Sequence, residues 1–165
     1  TVTLEPSGEG NLAYQIVAGH YLPWQEEPLP ENQPLTIDVT YDAKTLKVDD
    51  TLGVKVKLEY HRNDVADMTL VDLGIPPGFA VLPEYFQGLK DEGIIEKYSM
   101  NGRQGTIYFR EISSEQPIEF SYELKAKFPV KAKTPKSTVY QYYEPEIRAE
   151  AQPVEIEVAK VASTD

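Results

Sequence analysis

Two histidines, His20 and His61, are the only imidazoles in this 165-residue chain, and cysteine is absent. The lack of cysteine removes thiol nucleophiles, thiolate metal sites and disulfides together. No serine stands in a Gly-x-Ser-x-Gly turn, the strained corner that marks a serine nucleophile. The segment HRNDVAD, residues 61–67, brings His61, Asp64 and Asp67 close together and is the best candidate for a metal cluster. Asn and Asp are equally the residues of a tight turn, because their side chains bond their own backbone; the turn is the simpler reading. The chain's 27 acidic residues make some pair of carboxyls at glycosidase spacing a matter of chance, so such a pair carries no information. Gly8-Glu9-Gly10 reads as a turn rather than a phosphate cradle. These patterns give no positive sign of catalysis, of a metal or of a cofactor.

The enriched chemistry is aromatic: 11 tyrosines, five phenylalanines and Trp24. In VYQYY, residues 139–143, successive strand side chains point to opposite faces. Tyr140 and Tyr142 therefore share one face, while Val139, Gln141 and Tyr143 share the other. In TIYFR, residues 106–110, Ile107 and Phe109 form the inward pair, so Tyr108 points away from that core. Exposed aromatics on neighbouring strands make a patch of the kind that marks an interface. Each ring buried against a partner contributes roughly 1.5–3 kcal/mol. The alternative use of such rings is stacking on sugars, in a carbohydrate-binding or adhesive module with a groove that includes Trp24.

The elements that must position these residues are strands. Leu35, Ile37, Val39 and Tyr41 alternate with polar residues, as do Val54, Val56, Leu58 and Tyr60. The same period runs from Ile118 through Phe120, Tyr122, Leu124 and Ala126 to Phe128, and again through Val154, Ile156 and Val158. Period two is the signature of a half-buried strand. Further strands are expected at Leu12–Val17, Met68–Leu73, Ile95–Met100, Thr106–Arg110 and Thr138–Tyr143. About nine strands separated by turn signals give an all-β class, an antiparallel β-sandwich. One segment breaks the rhythm: Pro83 suits a first helical position and Gly93 a helix end. Leu82, Phe86 and Leu89 would then line one face of a short inserted helix, with Gly88 a weak point inside it. QEEPLPENQP, residues 25–34, reads as a stiff surface connection.

Residues 1–9 read as the tail of a preceding domain or linker, residues 10–162 as one sandwich domain, and residues 163–165 as a tail. A formal charge of −11 opposes binding to nucleic acid or to an anionic membrane surface. No run approaches 18 apolar residues, so no membrane insertion by this domain is expected.

Four segments carry a family resemblance. ADMTLVDLGIPPGF (residues 66–79), GTIYFREIS (105–113) and STVYQYYEP (137–145), preceded by GEGNLAYQI (8–16), occur in that order around the helix. Together they resemble the C-terminal, receptor-binding-type domain of the α2-macroglobulin and complement thioester proteins, and the missing cysteines are similar to bacterial members. The resemblance implies a macroglobulin-type sandwich in a larger exported protein, periplasmic or extracellular, that traps proteases. It implies a non-catalytic role: packing on the helical toroid domain that carries a thioester, beside neighbouring macroglobulin domains of the same parent chain, and shielding the bond until bait cleavage. Target proteases would be met only indirectly. By motif position the shielding residues are Met68, Tyr108 and Tyr142. Vertebrate members also dock a receptor through two helix lysines, four residues apart. The matching positions here are Pro83 and Gln87, which leaves Lys90 as the candidate helix contact.

Overall fold

In the computed structural model the described residues are 33–102 and 104–160, with residues 3, 5, 7–11, 13–17 and 19 near the N-terminus. The strands are β1 (Leu35–Tyr41), β2 (Thr45–Lys47), β3 (Thr51–Tyr60), β4 (Val65–Gly74), β5 (Phe79–Val81), β6 (Lys97–Asn101) and β7 (Gln104–Ser113). They continue as β8 (Ile118–Ala126), β9 (Val130–Lys133), β10 (Thr138–Gln141), β11 (Arg148–Glu150) and β12 (Glu155–Ala159), with the helix α1 at Pro83–Asp91. A four-stranded sheet has the order β1-β3-β8-β5 and a five-stranded sheet the order β11-β10-β4-β7-β6. A small third sheet, β2-β12-β9, holds the one parallel pairing among the described residues, between β2 and β12.

The expected period-two faces meet in one core. Leu35, Val56, Leu58 and Leu124 project from the four-stranded sheet, and Val71, Leu73, Ile107, Phe109 and Val139 from the five-stranded one; all are essentially inaccessible. Removing that apolar area from water is the main force holding the two layers together. The fold is thus the antiparallel sandwich with one short helix that the alternation predicts. The four strands that the alternation does not predict, β2, β5, β9 and β11, have only three or four residues each. A repeat of two leaves no readable signal over so short a run.

The helix begins at Pro83, whose missing N–H costs nothing in a first turn. It ends before Gly93, which adopts φ +74°, a left-handed conformation that glycine takes without steric cost. Phe86 is fully buried, with ring centroids 5.1 Å from Tyr122 and 5.8 Å from Tyr98, so the helix is pinned over one end of the core. Gly88 is tolerated inside it because this packing, rather than helix propensity, supplies the stability.

Three local expectations are corrected. Residues 13–17, expected as part of a strand, have no regular structure, and Tyr14, Ile16 and Val17 are exposed. Alternation there proposes a strand, but a strand also needs a neighbour to take its backbone hydrogen bonds. Phe128 is not inward: β8 ends at Ala126, the chain turns against Gly78, and the ring is 68% exposed. Tyr143 leaves the face of Val139 and Gln141 for the same reason, since β10 stops at Gln141. His20, Trp24 and most of the proline-rich connection lie outside the described residues.

Candidate functional site

The register of the five-stranded sheet decides which outward side chains become neighbours. One row across its outer face reads Arg148, Tyr140, Leu70, Tyr108 and Lys97. The row beside it reads Glu150, Thr138, Asp72, Thr106 and Ser99. On the other side, the backbone N–H of Tyr142 donates to the carbonyl of Met68 at 2.9 Å, extending the pairing by one position beyond β10. Met68, Tyr108 and Tyr142, named from sequence, therefore lie on one face, with Leu70 between Met68 and Tyr108.

Met68 owes its position to a local break in β4. It adopts φ +42°, a conformation unfavourable for a side chain with a Cβ, and the ladder to β7 omits the Met68–Arg110 pair. Ala66 and Thr69 both point inward, so Asp67 and Met68 are two successive outward residues; Arg110 and Glu111 are the corresponding two on β7. The Thr69 hydroxyl donates to the Ala66 carbonyl at 3.2 Å, satisfying a buried acceptor beside the break. This shift of alternation places Met68 at the surface, 39% exposed.

Between residues 33 and 160, six large apolar or aromatic side chains are exposed: Val65, Met68, Ile94, Phe128, Tyr142 and Tyr143. Four of them gather by register around the first half of β4: Val65 and Met68 on the strand itself, and Tyr142 and Tyr143 just beyond β10. The two tyrosine rings meet edge to face, with centroids 5.1 Å apart. That geometry orients both rings at little entropic cost.

The polar surroundings tie the tyrosine row down. Asp72 accepts from the Thr106 hydroxyl at 2.7 Å. Burial, reinforced by the Asp72 carboxylate beside it, pushes the Tyr140 hydroxyl above its ordinary pKa. Lys97 Nζ lies 5.4 Å from the centroid of the Tyr108 ring, a cation–π contact over one ring face. Arg110 pairs with Glu96 at 2.9 Å, and Lys136 with Glu150. Period two counted outward from Met68 could have found Leu70; Tyr140 shares the Tyr142 face in sequence, and its place beside Leu70 needed the pairing.

The other candidate residues are dispersed. Lys90 is exposed on the last turn of α1, away from this face. Gln87 is committed locally: its Nε2 donates to Asp91 at 2.7 Å and its Oε1 accepts from the Tyr98 hydroxyl at 3.3 Å. His61 Nε2 lies 3.1 Å from the Thr36 hydroxyl, and no group of metal-binding side chains forms among the described residues. Burial, then the neighbouring Asp64 carboxylate, raises the Tyr60 hydroxyl pKa. The HRND segment is the connection from β3 in one sheet to β4 in the other, not the loop of a hairpin. A depression of about 280 Å³ adjoins the tyrosine face at Asp72, Gly74, Gln104 and Lys136. Another, of about 310 Å³, lies at Thr40, Asp42, Gly53, Tyr85 and Glu123; neither includes His61.

The outer face thus gathers the exposed Met68, Tyr142 and Tyr143 beside the half-buried Tyr108 and Tyr140, with Glu150, Thr138, Asp72, Thr106 and Ser99 as a polar row across it. The profile of the A-macroglobulin receptor binding domain family matches residues 64–153, which span the whole of this face. The chain belongs to that family. No curated protein sequence matches the chain. Among solved structures, native α2-macroglobulin from Escherichia coli, from its domain MG7 to the C-terminus, is similar over 81% of this chain, with TM-score 0.68 and 17% identity. The trypsin-activated Escherichia coli protein is similar over 79%, with TM-score 0.61 and 18% identity. Salmonella α2-macroglobulin reacted with methylamine is similar over 83%, with TM-score 0.66 and 14% identity. Those matches cover 25%, 11% and 10% of the respective solved chains, so this receptor binding domain corresponds to a small part of each. No helix among the described residues is long and apolar enough to cross a membrane.

Proposed function

We propose that this domain is a non-catalytic interaction module of an exported, protease-trapping α-macroglobulin, and that the outer face of its five-stranded sheet packs on the thioester domain of the same parent chain. The observation that carries this reading is the gathering of the exposed Met68 and Tyr142 with the half-buried Tyr108 on one face, with apolar area that the sandwich leaves open for itself. A thioester survives in water only where hydrolytic attack is kept out of a dry pocket. Aromatic rings and a thioether, pressed over it, supply the apolar surface of such a lid. Family membership supports the reading. So does similarity to an α2-macroglobulin activated by trypsin and to one reacted with methylamine, a small amine able to open an acyl thioester. Cleavage of a bait segment elsewhere would separate the two domains and expose the bond. The neighbouring macroglobulin domains of the parent are further partners, and trapped proteases are met indirectly.

The test is the full-length parent protein carrying Met68→Ser, Tyr108→Ser and Tyr142→Ser together. Free thiol should appear in this variant without any protease, whereas the unaltered protein should release it only after cleavage. Equal, protease-dependent release from both would remove the shielding role. Calorimetry of the isolated chain against soluble glycans should give no heat; binding there would favour a carbohydrate-binding module instead.

A further inference from the structure

Thr69 puts a polar group at a core position. It is fully buried, paired across the sheet with Phe109 on β7 and with Gln141 on β10. Valine suits such a place in a strand equally well, and a buried hydroxyl costs stability unless it is bonded. The bond it makes runs to the Ala66 carbonyl at 3.2 Å, three residues back on the same strand. Three residues of regular strand span about 10 Å, beyond the reach of a hydroxyl so close to its own Cα. The bond therefore belongs to the broken form of β4 alone, in which Met68 adopts φ +42°. Methionine is not among the residues that take that angle readily.

The break has two consequences on the outer face. It turns Met68 outward beside Asp67. It also leaves the Met68 carbonyl to accept the Tyr142 N–H at 2.9 Å, which fixes the backbone from which the paired rings of Tyr142 and Tyr143 project. We infer that Thr69 is a positioning residue for the shield: its hydroxyl holds the break in β4 and so places both Met68 and Tyr142. The inference rests on the docking reading above and names the group that sets the geometry of the docking face. Without the hydroxyl the cost of the left-handed angle loses its compensation, and β4 relaxes toward a regular strand. The Met68 carbonyl then leaves Tyr142, and two side chains of the shield lose their places at once.

The experiment pairs thiol release by methylamine from the full-length parent with residue-resolved amide exchange of this chain. Thr69→Val removes the hydroxyl at nearly constant volume. Loss of one hydrogen bond to a buried acceptor shifts such an equilibrium roughly tenfold. Release and exchange at the Tyr142 amide should each rise by about that factor, while Val71, in the central strand of the same sheet, keeps its protection. Thr69→Ser keeps the hydroxyl and should stay close to the unaltered protein in both measurements. Adding Met68→Gly to Thr69→Val should return protection to Tyr142, because glycine takes the left-handed angle without steric cost. This double variant also decides the matter if valine alone unfolds the domain, and an unprotected Tyr142 in it refutes the role of the hydroxyl. Tyr142→Ala is the control for the shield. If it accelerates release while Thr69→Val changes neither measurement, the positioning role is refuted and the shield stands. Equal acceleration by valine and by serine assigns the effect to packing and refutes it too. If Tyr142→Ala leaves release unchanged, the shield fails and the role of Thr69 with it.

Discussion

Replacing Tyr142 with alanine separates what the ring does for the domain from what it does for a partner. The side chain is 57% exposed, and its ring contact among the described residues is the edge-to-face pair with Tyr143. Losing that pair costs the isolated domain about 0.5–1.5 kcal/mol. A tyrosine removes about 200 Å² from water when fully covered. The fraction still open, 57%, therefore corresponds to about 110 Å² available to a partner. At about 25 cal/mol per Å², covering it is worth about 3 kcal/mol, or about a hundredfold in the docking equilibrium. Methylamine reacting through the undocked state of the parent protein should then release thiol up to about a hundredfold faster. Urea unfolding of the isolated chain should move only by the smaller amount. Phe128→Ala is the control: its ring is 68% exposed but lies in the turn after β8, against Gly78 rather than in the pairing around Met68, and neither measurement should change by more than about 0.5 kcal/mol. The reasoning is refuted if both tyrosine and phenylalanine variants alter release alike, or if the cost of Tyr142→Ala appears wholly in the stability of the isolated domain.

Three further expectations concern the scaffold. A Cβ at Gly74 would stand 2.6 Å from the carbonyl oxygen of Pro135 and 2.8 Å from that of Lys136. These are backbone atoms that cannot swing aside, so Gly74→Ala should lower stability in urea by about 1–3 kcal/mol; an unchanged midpoint would show that the 135–137 segment yields freely. The hydroxyl of Tyr122 is buried without a hydrogen-bond partner among the described residues, so Tyr122→Phe should raise the melting temperature or leave it unchanged; a clear loss would reveal a hidden partner. Burial pushes the Tyr122 hydroxyl pKa upward, with a further push from Tyr41, and burial likewise raises Tyr41, Tyr60 and Tyr140. The folded state then keeps protons that the unfolded chain releases, so this contribution is complete below about pH 10 and declines as pH rises further. Urea midpoints should fall above about pH 10, and part of the tyrosinate absorbance should appear only with unfolding; full titration of all 11 tyrosines in the folded state would contradict it.

Alternation within the chain was enough to identify the long strands, the sandwich class and the outward turn of Tyr108, because each is a property of one segment's own period. The helix was legible too, from Pro83 and Gly93 at its ends and Phe86 and Leu89 on one face. Residues 13–17 show where local pattern stops: a segment can alternate and still be no strand when no strand among the described residues pairs with it. The candidate face depended on more than period. That Leu70 stands between Tyr140 and Tyr108 follows from the pairing of β10, β4 and β7, strands that lie far apart along the chain. That Asp67 and Met68 both face outward follows from the left-handed backbone at Met68, where the count of two slips by one and every later side chain changes place. The opposition of Asp67 and Glu111 belongs to the same class of fact, since 44 positions of chain separate them and only the β4–β7 register makes them neighbours. Away from the break at Met68, sequence by itself determined which side chains the long strands could offer outward; tertiary structure decided that break and which side chains would share a surface, because hydrogen-bond register, not proximity along the chain, sets distances across a sheet.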